Sequence, residues 1–188
     1  QRQSMIGGFG GLPFGEVSQC GAGQVAVLGV PSEVKCGPRS GTPLAPDALR
    51  RMTSQLGTML GANGCDLGNL DTSADWSSAL AQLVRQMVDN DVMPVVLGGA
   101  SDVALTVLRT LPDLPVVAAM PLAQFDLVER TANTTWLGLN GGQPADVWDQ
   151  IEERSMAWRT ARQLDEGQTE FADIPEPAIL WIDISVID

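Results

Sequence analysis

The stretch that decides the fold reads Val25-Ala26-Val27-Leu28-Gly29-Val30, a continuous run without a single polar side chain. A short apolar run of this kind is typical of a strand that is buried on both faces, as strands of a parallel sheet are. Comparable runs follow around residues 93–97, 115–120, 136–139 and 178–184. We therefore expect a sheet whose strands are mainly parallel.

Helical patterns alternate with these strands. Pro46 opens a first helix, at a position where proline is tolerated. A longer helix, with Ser73 as its expected N-cap, has apolar residues at helical spacing from Trp76 to Val88. A third begins near Asp102, with Ser101 as its expected N-cap. Strands alternating with amphipathic helices predict a three-layer α/β/α fold.

The domain organisation follows from where glycine and the strands lie. Residues 1–23 are rich in glycine and predict a flexible arm or an extension that hugs the surface. Residues 24–188 have the size of one α/β domain. The last predicted strand has no following segment to cover the sheet edge, so we expect a domain that is incomplete at its C-terminus.

The composition excludes several classes of function. The 188 residues include 23 acids, 11 bases and no histidine, for a net charge of −12. Nucleic-acid binding needs a basic face, so no nucleic-acid partner is expected. No apolar run approaches the ~20 residues that a membrane helix needs. The acidity serves either solubility or a surface for a basic partner.

The cysteines are three in number and widely spaced, at Cys20, Cys36 and Cys65. This pattern does not predict a disulfide scaffold and favours a reducing compartment. We expect an intracellular protein, in the mitochondrial matrix or otherwise in the cytoplasm.

Five motifs then stand in a characteristic order. They are Gly29-Val30-Pro31 with residues 41–50, Asp66-Leu67-Gly68-Asn69, Pro94-Val95-Val96-Leu97-Gly98-Gly99, Trp136-Leu137-Gly138-Leu139, and residues 181–188. As an ordered set they resemble the ureohydrolases, the family of arginase, agmatinase and formiminoglutamase. The resemblance extends from about Val25 to Asp188, and it implies an arginase-like fold whose subunits form oligomers.

The resemblance also implies where a metal site would lie. Ureohydrolases hold a binuclear manganese centre, with carboxylate and imidazole ligands, at the carboxyl ends of the strands. At the positions that correspond to the metal ligands, all but one of the residues of this chain differ from those of the family. The degenerate positions are Ala100, Ser101, Met120, Leu122, Gln124, Asp183 and Ser185, of which only Asp183 keeps the family's residue. We therefore expect no catalytic residues and no cofactor.

The residues that are retained have structural interpretations. Asp183 is expected to be a hydrogen-bond acceptor at a strand end, and Gly98-Gly99 to form a tight turn. Arg50 is expected to pair with a local carboxylate or to pack against the sheet.

The predicted function is therefore that of a pseudoenzyme. It would be a structural or accessory subunit of a larger complex, for example a mitochondrial respiratory complex, with other protein subunits or ureohydrolase-like paralogues as partners. Two alternatives stay open. One is a manganese-dependent ureohydrolase acting on a guanidino substrate, with its ligands completed by another chain. The other is a regulatory pseudoenzyme that binds a small molecule in the former cleft.

Overall fold

A computed structural model describes residues 7–33, 41–54, 63–120, 134–139, 145–153, 156–167 and 176–183. These residues fall into two compact units, Gln1–Leu111 and Pro112–Asp188. Each unit contains its own parallel sheet with helices beside it in sequence. The prediction of an α/β fold with mainly parallel strands is confirmed.

The sheet of the first unit is built around the segment that opened the sequence. Strand β1 (Val25–Gly29) lies between β2 (Gly64–Asn69) and β3 (Met93–Leu97), and both pairings are parallel. Ala26 and Val27 point to opposite faces of the sheet, and neither is exposed to solvent. This strand is therefore buried on both faces, as its apolar sequence predicts.

Three helices belong to this unit: α1 (Ala45–Ser54), α2 (Trp76–Asp89) and α3 (Ser101–Thr110). One face of β1 packs against α2 and α3, in a cluster that includes Ala26, Leu28, Leu80, Val84, Met87 and Val103. The other face packs against α1 and the N-terminal residues, in a cluster that includes Leu12, Val27, Leu49 and Leu97. The first unit thus has three layers.

Two helices begin differently from the prediction. The N-cap of α2 is Asp75, whose Oδ1 accepts a hydrogen bond from the Ser78 N–H at 3.3 Å, whereas Ser73 donates its own N–H to Asp71. Asp75 takes the cap because it directly precedes the first helical residue, where a carboxylate also interacts favourably with the helix dipole. Helix α3 begins at Ser101, with Ala100 as its N-cap.

Residues 7–23 are a packed part of the first unit. Leu12 is only 1% exposed and lies in the cluster on the α1 side. The backbone follows β2, because the Asp66 N–H donates to the Pro13 carbonyl at 2.8 Å and the Gly15 N–H donates to the Asp66 carbonyl at 3.0 Å. Of the two predicted alternatives, these residues correspond to the extension that hugs the surface.

The prediction that the cysteines form no disulfide scaffold is wrong for Cys20 and Cys65, whereas the compartment stays a prediction. Cys20 and Cys65 form a disulfide whose Cα atoms are 6.5 Å apart. The packed arm brings Cys20 to β2, a proximity that a separation of 45 residues does not reveal. Disulfides persist in oxidising surroundings, so a reducing compartment no longer follows from the cysteine pattern. Cys36 lies outside the described residues.

The second unit has a sheet of four parallel strands in the order β6-β5-β4-β7. Its strands are β4 (Val116–Ala119), β5 (Thr134–Leu139), β6 (Ala157–Thr160) and β7 (Ile179–Ile182), and its helices are α4 (Ala145–Glu153) and α5 (Ala161–Asp165). Trp136 is buried and donates its Nε1–H to the Met156 sulfur at 3.3 Å. Trp148 of α4 packs on Trp158 of β6, with ring centroids 5.0 Å apart.

The helices also bear on membrane association. Across the described parts of both units, none of the helices combines the length and the apolar character that a bilayer span requires.

Candidate functional site

Two charged side chains are buried together in the first unit. Arg50 is 4% exposed and Asp66 is fully buried. The Arg50 Nε–H donates to Asp66 Oδ2 at 2.7 Å, and its Nη2–H donates to Asp66 Oδ1 at 2.8 Å. This bidentate geometry is the strongest form of an arginine–carboxylate pair. The prediction that Arg50 pairs with a nearby carboxylate is confirmed.

The remaining donors of Arg50 are also used. Its Nη1 donates to Asn69 Oδ1 at 2.5 Å and to Asp47 Oδ1 at 3.3 Å, and its Nη2 donates to the Gly68 carbonyl at 2.9 Å. With the two bonds to Asp66, all five N–H groups of the guanidinium have an acceptor. Arg50 is therefore a structural group that ties α1 to the end of β2, with no donor left for a ligand.

Asn69 is the last residue of the Asp66-Leu67-Gly68-Asn69 motif. Besides accepting from Arg50, it donates its Nδ2–H to Asp47 Oδ1 at 2.9 Å. Gly29 makes room for this arrangement, because a Cβ at that position would collide with Asn69 Oδ1 and lie 3.0 Å from Arg50 Nη1. The glycine of the Gly29-Val30-Pro31 motif is thus needed for close packing.

Asp66 also holds the N-terminal arm. Its Oδ2 accepts the Phe9 N–H at 2.7 Å, and its Oδ1 accepts the Gly68 N–H at 2.9 Å. Burial by itself would raise the pKa of Asp66, but the hydrogen bonds from Arg50, Phe9 and Gly68 and the positive charge of Arg50 outweigh it. The pKa of this carboxyl therefore lies below its ordinary value.

The lowered pKa gives a prediction for stability against pH. A carboxyl with a lower pKa in the folded state stabilises the protein above its unfolded pKa of about 3.9, and this contribution is lost as the pH falls through the folded value. We expect the difference in unfolding free energy between the wild type and Asp66→Asn to shrink as the pH is lowered below about 4. Urea denaturation from neutral to acidic pH measures it, and a difference that stays constant over that range would contradict the assignment.

The first pair of degenerate positions lies at the carboxyl end of β3. Ala100 is 7% exposed, and Ser101 is exposed in the first turn of α3. The preceding Gly99 lies against the backbone of Ser32, where a Cβ would collide with the Ser32 carbonyl oxygen. Glycine at position 99 is therefore required by a close approach between the ends of β1 and β3.

A polar pair at the same edge was missed by sequence reasoning. The buried Ser32 donates its Oγ–H to Asp102 Oδ2 at 3.0 Å and so links the residues that follow β1 to helix α3. Among the described residues, Asp102 Oδ1 is buried and has no hydrogen-bond partner. The available signal was positional, since each residue closely follows the carboxyl end of a predicted parallel strand.

The second unit holds two more of the predicted positions. Met120 is fully buried after β4, and its N–H donates to the Leu137 carbonyl at 3.0 Å. Asp183 follows β7, and its N–H donates to the Ala119 carbonyl at 2.9 Å. Because β4 and β7 are parallel neighbours, Met120 and Asp183 lie at the same edge of this sheet. Leu122, Gln124 and Ser185 lie outside the described residues.

These residues do not fit a binuclear manganese centre. Manganese prefers carboxylate and imidazole ligands, whereas Ala100 offers no donor and Met120 offers a soft thioether inside the core. The whole sequence contains no histidine. Over the part of the chain that the structure covers, no three His, Cys, Asp or Glu side chains are grouped closely enough to hold a metal ion.

Comparison with known proteins identifies the family. The sequence model described as "Arginase family" matches residues 23–118, which is just over half of the chain. The chain belongs to the arginase family. A comparison with curated protein sequences finds no match.

Solved structures show the same fold. Arginase from Bacillus subtilis is 20% identical, with a TM-score of 0.62, over 76% of this chain and 63% of its own. A formiminoglutamase variant of Trypanosoma cruzi with Mn²⁺ is 17% identical, with a TM-score of 0.71, over 86% and 70%. The agmatine ureohydrolase of Thermoplasma volcanium is 16% identical, with a TM-score of 0.72, over 90% and 69%. The chain thus spans less than two thirds of the Bacillus subtilis arginase.

Proposed function

We propose that this chain is a catalytically inactive member of the arginase family that acts as a structural or accessory subunit of a larger protein complex. The observation that carries the proposal is the burial of Ala100 and Met120 at strand ends where the family resemblance expects metal ligands. A metal pair is what lowers the pKa of a bound water to make hydroxide at neutral pH. Without it, the chain has no nucleophile for a guanidinium carbon.

A second observation supports a role that depends on the fold. The residues that hold the scaffold together are kept and closely packed: Gly29, Arg50, Asp66 and Gly99 all make contacts that another residue type would break. The positions expected to ligate the metal, in contrast, are changed except for Asp183. A protein that retains its scaffold while its metal ligands are replaced is suited to a task performed by its surfaces.

We expect the partners to be other protein subunits, among them paralogues with the same fold. A mitochondrial respiratory complex is the example suggested by the sequence, and the compartment stays a prediction. Fractionation of cells tests the compartment, because it shows with which organelle the protein is recovered. A thiol-blocking reagent added during the preparation preserves the Cys20–Cys65 disulfide.

The experiment for the proposed function is native mass spectrometry of the whole protein isolated gently from its source, with metal analysis of the same sample. We expect a chain without manganese inside a complex with non-identical subunits. A stable monomer with no co-purifying protein would overturn the accessory role. Near-stoichiometric manganese, with urea release from arginine or agmatine, would overturn the inactivity and favour ligands supplied by another chain.

A further inference from the structure

The N-terminal arm lies directly over one half of the Cys20–Cys65 disulfide. The Glu16 carbonyl oxygen is 3.7 Å from the Cys65 Sγ. A Cβ at Gly15 would lie 3.3 Å from the Cys65 Cβ. Cys65 is only 5% exposed, whereas Cys20 is partly exposed. The arm therefore forms part of the cover over the Cys65 side chain.

Residues 16–22 of the arm, here called the bridge segment, have few contacts of their own with the sheet. None of their side chains is buried. The Gln19 N–H donates to the Glu16 carbonyl at 2.9 Å, so this bond lies within the segment. The Cys20 N–H likewise donates to the Val17 carbonyl at 3.0 Å. A segment that buries so little opens locally at a low free energy once its covalent link is removed.

The two ends of the bridge segment are held independently of the disulfide. Before it, the Asp66 N–H donates to the Pro13 carbonyl at 2.8 Å and the Gly15 N–H donates to the Asp66 carbonyl at 3.0 Å. After it, the Gly23 N–H donates to the Asp91 carbonyl at 2.7 Å. Loss of the disulfide would therefore free a short loop between two fixed points and leave the rest of the arm in place.

We propose that the Cys20–Cys65 disulfide is a redox switch whose reduction lets the bridge segment open and close over β2, which gives access to the Cys65 thiol while the first unit stays folded. The reductant is a dithiol. Its thiolate attacks the Cys20 sulfur, the more exposed of the two, and the Cys65 sulfur leaves and takes up a proton. The second thiol of the reductant then displaces Cys20. Two electrons and two protons pass to the cysteines, and the reductant becomes a disulfide.

The switch goes beyond the proposed function and does not depend on it. The test is alkylation of the whole folded chain with iodoacetamide, before and after incubation with dithiothreitol, with each cysteine quantified by peptide mass spectrometry. The reduced wild type should label Cys65 within about tenfold of the rate in the denatured, reduced protein, because opening costs no more than that factor. The oxidised wild type should not be labelled at Cys65.

Two single substitutions are the matched controls. Cys20→Ser should label Cys65 at the fast rate without any reductant, whereas Cys36→Ser retains the disulfide and should need the reductant as the wild type does. Hydrogen exchange shows whether the opening is local. The Val30 N–H, which donates to the Leu97 carbonyl at 2.9 Å, should still exchange at least about a hundredfold more slowly than in the denatured chain after reduction.

Three results would overturn the inference. A Cys65 thiol in the reduced wild type that reacts more than about tenfold more slowly than in the denatured protein would show that the bridge segment stays closed. Labelling of Cys65 in the oxidised protein would show that the bond does not control access. Fast labelling together with an unprotected Val30 N–H would show that reduction unfolds the whole unit.

Discussion

Replacing Arg50 by methionine is expected to lower the free energy of unfolding by about 3–5 kcal/mol, the cost typical of breaking a buried ion pair from one side. The substitution leaves the carboxylate of Asp66 fully buried. Among the described residues, its remaining hydrogen-bond donors are the backbone N–H groups of Phe9 and Gly68. Small proteins are stable by only about 5–15 kcal/mol, so the loss should be evident in urea denaturation followed by circular dichroism at neutral pH.

The neighbouring Arg51→Met is the matched control for this substitution. Arg51 lies on the same helix and is exposed, so its replacement should change stability by no more than about 0.5 kcal/mol. Combining Arg50→Met with Asp66→Asn should cost less than the sum of the two single changes, because the buried charge is removed with its partner. An Arg50→Met protein as stable as Arg51→Met would contradict the role assigned to the pair.

Removing the disulfide with Cys20→Ser is expected to lower the free energy of unfolding by about 2–4 kcal/mol. The bond closes a loop across a separation of 45 residues that contains β1 and α1, and it restricts the unfolded chain accordingly. The partner, Cys65, can remain as a buried thiol at little cost, because a free cysteine behaves as a small apolar residue. Urea denaturation without reductant measures the difference.

A reductant provides the control for this second prediction. It should lower the stability of the wild type by a similar amount and leave that of Cys20→Ser unchanged. Thiol titration of the denatured, unreduced wild type should find one free thiol per chain, from Cys36, and three after reduction. Three thiols before reduction would show that the bond does not form.

The strands and helices could be predicted from the sequence because their signals are local. The apolar run that includes β1 is informative since a short run of this kind is typical of a strand buried on both faces. Pro46 marks the start of α1 because its fixed φ suits the first turn of a helix. These signals depend on residues that are close together in the chain, so they can be recognised without knowledge of the tertiary contacts.

The contacts that define the candidate site depend on residues far apart in sequence. A buried arginine needs acceptors for its N–H groups, but only the packing of α1 beside the end of β2 brings Asp66, Gly68 and Asn69 to Arg50. Cys20 reaches Cys65 only because the arm follows β2, and Ser32 meets Asp102 only because β1 and β3 are neighbours. Spacing along the chain does not specify which strands and segments become neighbours. The family resemblance marked the degenerate positions, while the burial of Ala100 and Met120 became known from the structure.

The central claim, that this member of the arginase family has lost its metal centre, is tested most directly by manganese content. The whole purified chain is equilibrated with excess Mn²⁺, freed of unbound metal and assayed by mass spectrometry, with the Trypanosoma cruzi formiminoglutamase solved with Mn²⁺ as the positive control. We predict manganese at the background level of the buffer. A content close to two ions per chain would contradict the account.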